Sequence, residues 1–397
     1  MIFKFEAAIL KWIKANIIYI CFICVIFLSL IIRFSLKDFV SGDASGSLIP
    51  WYNAMNNVCH TNGAFSGLGT DIPDCNYSFL YQFFIAIMTY LPINPLYGYK
   101  ILSILFDYFL AFIVSMLVYD LSSKNKLLLS LLGFTFVICS PIVILNSSAW
   151  AQCDSIYTFW VILSIYCIYK ERYLPAFIFL GIAFSFKLQA IFALPFFMFY
   201  YIYKRKISII YFITIPLCMI ITSIPAFLYG RQIVDVFTIN INNTSLFQSL
   251  SLGYPTFWRI IADGSGSDGY TTFKVTAIIL TIIILGLIIT YWIYNDIILS
   301  GENIIFTAFI LTYSTVLFLP AMHERYGYLY EIMAIIIALL NPKTIPCLVI
   351  LVAITLNSYG IYLFGNFEAA WLFSTLNFIC YISYMIILNR EIQKGSE

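Results

Sequence analysis

The sequence predicts an all-α polytopic membrane protein, and three observations predict it. Mean hydropathy is +0.94 over 397 residues, with 62% hydrophobic and 10% charged side chains, a balance foreign to an ordinary soluble domain. Apolar runs of about 15–22 residues alternate with short polar breaks, the length a helix needs to cross a hydrocarbon core of about 30 Å. The alternating segments of about ten residues that build a membrane β-barrel are absent. A net charge of +2 with no basic stripe gives no reason to expect a nucleic-acid partner.

The elements follow in order. Lys4, Lys11 and Lys14 precede the apolar run 16–35. That run is long and lacks a small-residue cleavage site before Arg33, so it reads as a retained first helix with a cytoplasmic N-terminus, not a signal peptide. Further spans fall roughly at 100–119, 127–145, 155–169, 173–187, 189–203, 207–228, 272–295, 302–320, 326–341, 344–364 and 370–389. About twelve helices put both termini in the cytoplasm. Lys124 and Lys126, Lys170 and Arg172, Lys204-Arg205-Lys206, Lys343, Arg390 and Lys394 then share the cytoplasmic side. The apolar segment 79–92 is only about 14 residues, or about 21 Å of helix, and runs into Pro92-Ile93-Asn94-Pro95. Counting it as a span would invert every later loop, so it reads as a helix in the external interface.

The chain is thus expected to be a single integral domain, 1–397, of the cell membrane. Two long external loops result, 36–99 with its interfacial helix and 229–271. The first carries Asp38, Asp43, Asp71 and Asp74; the second carries Asp235, Asp263 and Asp268 with Arg231 and Arg259. Cytoplasmic connections are too short for a folded domain, so chemistry is expected on the external face. Most of the ten cysteines lie in apolar runs as small hydrophobes. Cys59 and Cys75 share the first loop, either as a disulfide or as two free thiols.

Four clusters are expected on that face. Ser41-Gly42-Asp43 follows the first helix, with a carboxylate near the membrane surface and a glycine that permits close backbone approach, or else a turn. In Asn146-Ser147-Ser148-Ala149-Trp150-Ala151-Gln152-Cys153-Asp154-Ser155, Asp154 can cap a helix. Trp150, Gln152 and Asp154 also combine a flat apolar ring with hydroxyl-directed groups, as sugar sites do. Phe186-Lys187-Leu188-Gln189 offers a lysine that either snorkels to the interface or binds an anion in a cavity. Ala321-Met322-His323-Glu324-Arg325-Tyr326 sets a base, an acid and a permanent cation side by side between two apolar runs. Arg325 suits a phosphate, and Glu324 either serves the site or pairs with Arg325 or Lys187. No metal-ligand spacing occurs, so no metal or other cofactor is expected, although a divalent ion bound by His323, Glu324 and an Asp is conceivable. Asp107 and Glu331 lie inside spans and need partners or a wet cavity, and a structural role is expected for both.

Asp43 after the first helix, Trp150-x-Gln152-x-Asp154, Phe186-Lys187-x-Gln189 and Met322-His323-Glu324-Arg325-Tyr326 occur in the order seen in bacterial membrane mannosyltransferases. The chain resembles that group, which is similar to the second mannosyltransferase of GPI-anchor synthesis within the GT-C glycosyltransferase superfamily. The likeness covers roughly 30–340. Ala151 stands where the family usually has glycine, and the second loop matches no family pattern. The resemblance implies an inverting transferase that moves a sugar, mannose by preference, from a polyprenyl-phosphate donor to a glycan or lipid-linked acceptor. Asp43 would then be the base. Arg325, with Lys187, would face the phosphate, while Trp150, Gln152, Asp154, Gln189, His323, Glu324 and Tyr326 would bind substrate. The absence of a soluble nucleotide-binding domain with a DxD motif agrees with a lipid-linked donor. The alternatives are a lipid-linked glycan transporter or flippase, and an O-antigen-type polymerase or ligase. A flippase places its polar groups near the midplane, and a polymerase or ligase uses a pyrophosphate carrier.

Overall fold

Helices carry most of the chain, because a backbone in an apolar surrounding must satisfy its own hydrogen bonds. The structure, a computed structural model, describes residues 2–239, 248–261, 267–365 and 370–394. Its principal helices are α1 (Ile2–Ser35), α2 (Ile49–Thr61), α3 (Phe79–Met88), α4 (Pro95–Leu121), α5 (Lys126–Cys139), α6 (Asp154–Tyr169) and α7 (Tyr173–Phe186). They continue as α8 (Leu194–Lys204), α9 (Thr214–Thr222), α10 (Ser267–Tyr294), α11 (Glu302–Phe318), α12 (Tyr328–Leu340), α13 (Ile345–Phe364) and α14 (Ala370–Lys394).

The expected spans reappear as apolar helices, and 79–92 forms the short α3. Helix lengths do not give twelve crossings. Among the described residues, five helices are long and apolar enough to cross a membrane: α1, α4, α10, the stretch 342–364 ending α13, and α14. A sixth is added if α5 and 141–149, bent by 43°, form one span. Seven further apolar helices have 10–17 residues, or about 15–26 Å, less than a full hydrocarbon core. The reason lies in the packing. In α11 every residue from Ile304 to Phe318 is buried, and α12 is buried from Tyr328 to Ala338. These helices are walled by others and can end early. By contrast, α1 and α10 turn most of their apolar surface outward, as lipid-facing helices do.

Short helices leave irregular backbone at one end of the bundle, tolerated there because it is enclosed or lines a cavity. Helix α11 stops at Phe318 because Leu319 precedes Pro320 and is held extended. Similarly, Lys187 is extended between α7 and the tight turns 188–193. The two long loops close over this end together. Arg231 binds Asp71 Oδ1 at 3.1 Å and Thr70 O at 2.5 Å, while the Tyr229 hydroxyl donates to Ala64 O at 2.7 Å. Farther along the second loop, β1 (Ser251–Leu252) pairs in parallel with β2 (Met322–His323). Asp263 lies outside the described residues.

Ionisable groups within the bundle find partners. Asp107 pairs with Arg33 at 3.0 Å and accepts from the Ser147 hydroxyl at 2.6 Å, so its cation is neither Lys187 nor Arg325. Glu331 accepts from Thr355 and from Tyr254 of the second loop. Both acids are built into the scaffold, as expected. All ten cysteines are free thiols, including Cys59, buried on α2, and Cys75 in the loop, so the disulfide is absent.

Candidate active site

The site is assembled from four chain breaks, each carrying one sequence cluster. Behind α1, Lys100 of α4 donates to Leu36 O, Lys37 O and Phe39 O at 2.7, 3.0 and 2.7 Å. Those carbonyls have no intrahelical partner at a helix C-terminus, and a cation there also suits the helix dipole. The anchored chain then turns through Ser41, whose hydroxyl donates to Trp150 O and accepts from Ala44 N. Gly42 is not needed for close approach: a Cβ there would meet Tyr362 at 3.5 Å, an ordinary contact.

Asp43 therefore projects into a ring of donors. Its Oδ2 accepts from Trp150 Nε1 at 2.8 Å and Gln152 Nε2 at 2.6 Å, and faces Arg325 Nη1 at 3.4 Å. Its Oδ1 accepts from the Tyr362 hydroxyl. The carboxylate remains 28% exposed, which leaves it accessible from the cavity. Gln152 is itself aimed by Tyr77, whose hydroxyl donates to Oε1 at 2.8 Å. Burial, reinforced by neighbouring Cys153, pushes the Tyr77 hydroxyl well above its ordinary value, so it stays a donor.

Asp154 opens α6 and is fully buried; of its two readings the cap falls away, since Cys153 precedes the helix without a side-chain cap bond. One oxygen meets Lys187 Nζ at 2.5 Å; the other accepts from Asn146 Nδ2 at 2.8 Å and faces Arg325 Nε at 3.4 Å. Arg325 thus lies between two carboxylates. Burial opposes its charge, but Asp154 foremost, with Tyr77 and Asp43 after it, outweighs that and holds its pKa well above the usual value. Its guanidinium also sits 5.4 Å over the Trp150 ring.

Pairing of β1 with β2 fixes the His323–Tyr326 stretch. Gly253 follows β1 at φ +88°, and a Cβ there would fall 2.5 Å from Glu324 Cγ. Only glycine fits such an approach. His323 Nδ1 lies 3.7 Å from Glu324 Oε2, and Tyr326 packs between the rings of His323 and Phe192 at 5.1 and 5.6 Å.

These groups enclose a cavity of about 750 Å³. Of the expected residues, Asp43, Gln152, Lys187, Gln189, His323, Glu324, Arg325 and Tyr326 line it. Trp150 and Asp154 stand behind the wall. The Trp150 face expected to meet a sugar is covered by Tyr362, stacked at 4.4 Å, so its contribution is to aim Asp43. Lys187 is spent on Asp154 and only 7% exposed. The sequence reading missed Tyr77, Tyr362 and Lys274, all of which line the cavity. A lone lysine near one end of an apolar run was the signal for Lys274; nothing in the sequence marked the two tyrosines among 30. Among the described residues, no group of three or more His, Cys, Asp and Glu side chains converges as metal ligands would.

No family model matches the chain, and no curated protein matches it.

Proposed function

We propose that the chain is an inverting glycosyltransferase of GT-C type. It moves a sugar, mannose on the family resemblance, from a polyprenyl phosphate to a glycan or lipid-linked acceptor on the external face of the cell membrane. On this reading both termini are cytoplasmic, and the two loops that close over the cavity are external. The observation that carries the proposal is Asp43: a carboxylate oriented by four donors, still open to a cavity whose wall carries a half-buried arginine beside it.

In the proposed step the acceptor hydroxyl oxygen attacks the anomeric carbon as the bond from that carbon to the phosphate oxygen breaks. Asp43 takes the hydroxyl proton, and the electron pair leaves with the phosphate, whose growing charge faces Arg325. Attack opposite the leaving group inverts the anomeric centre. Trp150 and Gln152, the latter aimed by Tyr77, hold one oxygen of the Asp43 carboxylate, and Tyr362 holds the other.

The test is transfer of radiolabelled mannose from polyprenyl-phosphate mannose into a membrane extract by purified protein in lipid. Asp43→Asn should lower turnover by about 10²–10⁴-fold while donor binding persists. Near-normal turnover in Asp43→Asn would remove the base assignment. Transfer only from a pyrophosphate carrier would favour the polymerase or ligase, and label crossing the bilayer without a heavier product would favour the transporter.

A further inference from the structure

We propose that Lys274 is a second residue, beside Arg325, that receives the phosphate of the lipid carrier, at a side opening where the isoprenoid chain passes along α10; this rests on the lipid-phosphate donor proposed above. The argument begins with charge. Lys187 is matched to Asp154, and Arg325 is shared between Asp154 and Asp43. Glu324, also on the wall, adds a further acid. A phosphate entering that set meets cations already neutralised and a carboxylate in surplus. Among the described residues, one further cation lines the same cavity, Lys274.

Its position fits the role. Tyr270, Lys274 and Ile278 follow one another at four-residue steps on α10, so they form one stripe, and all three line the cavity. The rest of α10 turns largely outward, which makes it a wall one helix thick between cavity and lipid. Lys274 is half-buried in this apolar helix and forms no ion pair among the described residues; its ammonium lies 5.1 Å from the Tyr270 ring. A cation kept among apolar residues without a counter-ion is costly, and a phosphate would offset that cost. The same lining also carries apolar side chains: Ile191, Phe192, Ile278 and Leu319. Ile191 is 40% exposed, so this part of the lining continues onto the outer surface. An anionic head against Lys274 with an isoprenoid tail along those residues satisfies both halves of the lining. A free phosphate satisfies only the first.

The test uses the full chain in nanodiscs of phosphatidylcholine. A fluorescent long-chain polyprenyl phosphate without sugar is displaced by unlabelled polyprenyl phosphate, polyprenol, inorganic phosphate or phosphatidylglycerol. Lys274→Gln should weaken polyprenyl-phosphate binding by about tenfold or more, the value of one charge-assisted contact. Lys274→Arg should restore it to within about threefold, and the exposed Lys206→Gln should leave it unchanged. Polyprenol should compete weakly with every variant. The proposal is overturned if Lys274→Gln binds within about twofold of wild type. It is equally overturned if inorganic phosphate or phosphatidylglycerol displaces the probe as well as the carrier does. Binding needs no turnover, so the two readings fail separately. Lys274-dependent binding without sugar transfer would refute the transferase alone. Transfer with undiminished Lys274→Gln binding would refute only this assignment.

Discussion

Removing Lys187 is the sharpest perturbation of the site's charge balance. Its ammonium lies 2.5 Å from Asp154, with both side chains nearly fully buried. Deleting one partner of such a pair typically costs about 3–5 kcal/mol, because the other charge is left without compensation. Here the loss is smaller, since Arg325 Nε still faces Asp154 at 3.4 Å; at an effective dielectric of about 20, that contact retains roughly 5 kcal/mol of Coulomb attraction. Lys187→Met is therefore expected to destabilise by about 2–3 kcal/mol and to draw Arg325 from Asp43 toward Asp154. Turnover should fall with it, by about tenfold or more, as the cation beside the proposed base moves. Asp154→Leu combined with Lys187→Met removes both buried charges, so the double variant should be more stable than Lys187→Met alone. The measurement is a double-mutant cycle on denaturant unfolding in micelles, with turnover measured alongside. Strictly additive losses would mean that the two residues do not act as a pair, and an unaltered Lys187→Met turnover would mean that Arg325 is not under their control.

Three further outcomes are expected. Gly253→Ala combines a left-handed φ with a 2.5 Å approach to Glu324, so it should cost about 2 kcal/mol and lower kcat/KM by displacing Glu324; wild-type kinetics in that variant would refute the close approach. Arg33→Met strands Asp107 and should cost about 3 kcal/mol, read as faster thermal inactivation. Burial pushes the Cys75 thiol from an ordinary 9.0 to about 12. At pH 8 its thiolate fraction falls from about a tenth to about one in ten thousand, so iodoacetamide should modify it only slowly in the folded protein. Reductant should leave the protein's mass unchanged; a gain of two hydrogens would mean that a disulfide had been present and was cleaved, with Cys59–Cys75 the candidate.

Much of the site was legible because its charges stand out in an apolar chain. Asp43, Asp154, Lys187 and Arg325 were each chosen from sequence, and they meet in one network. Their division of labour was not legible. That Trp150 would be covered by Tyr362, or that Lys187 would be held by Asp154, depends on contacts between helices far apart in the chain. Ala151 illustrates the same limit. It adopts φ +62°, a left-handed backbone that glycine takes freely and that costs alanine about 1 kcal/mol, and no spacing rule reveals this. Twelve spans were expected because hydropathy treats every apolar run alike. Burial distinguishes α11 and α12, enclosed by protein and short, from α1 and α10, which must span lipid themselves.

The short helices and the buried charges are one design. A pair such as Asp154 and Lys187 is weak evidence of stabilisation, since well-packed apolar residues of similar volume often do as well or better. Arg33 and Asp107 show that the bundle can hold a charge pair away from the cavity, where it ties α1 to α4. The site differs because its charges are linked in series: Lys187 holds Asp154, Asp154 shares Arg325 with Asp43, and Asp43 opens to the cavity. Lys187, Asp154 and Arg325 sit next to the ends of helices too short for a full crossing, which frees backbone to turn each side chain inward, whereas Asp43 follows the full-length α1. If the chain of charges serves chemistry and not stability, apolar replacement of Asp154 and Lys187 together should separate the two. The variant should unfold no more easily than wild type yet turn over about tenfold more slowly, because Arg325 would then answer to Asp43 alone. Loss of both properties in parallel would mark the network as scaffold.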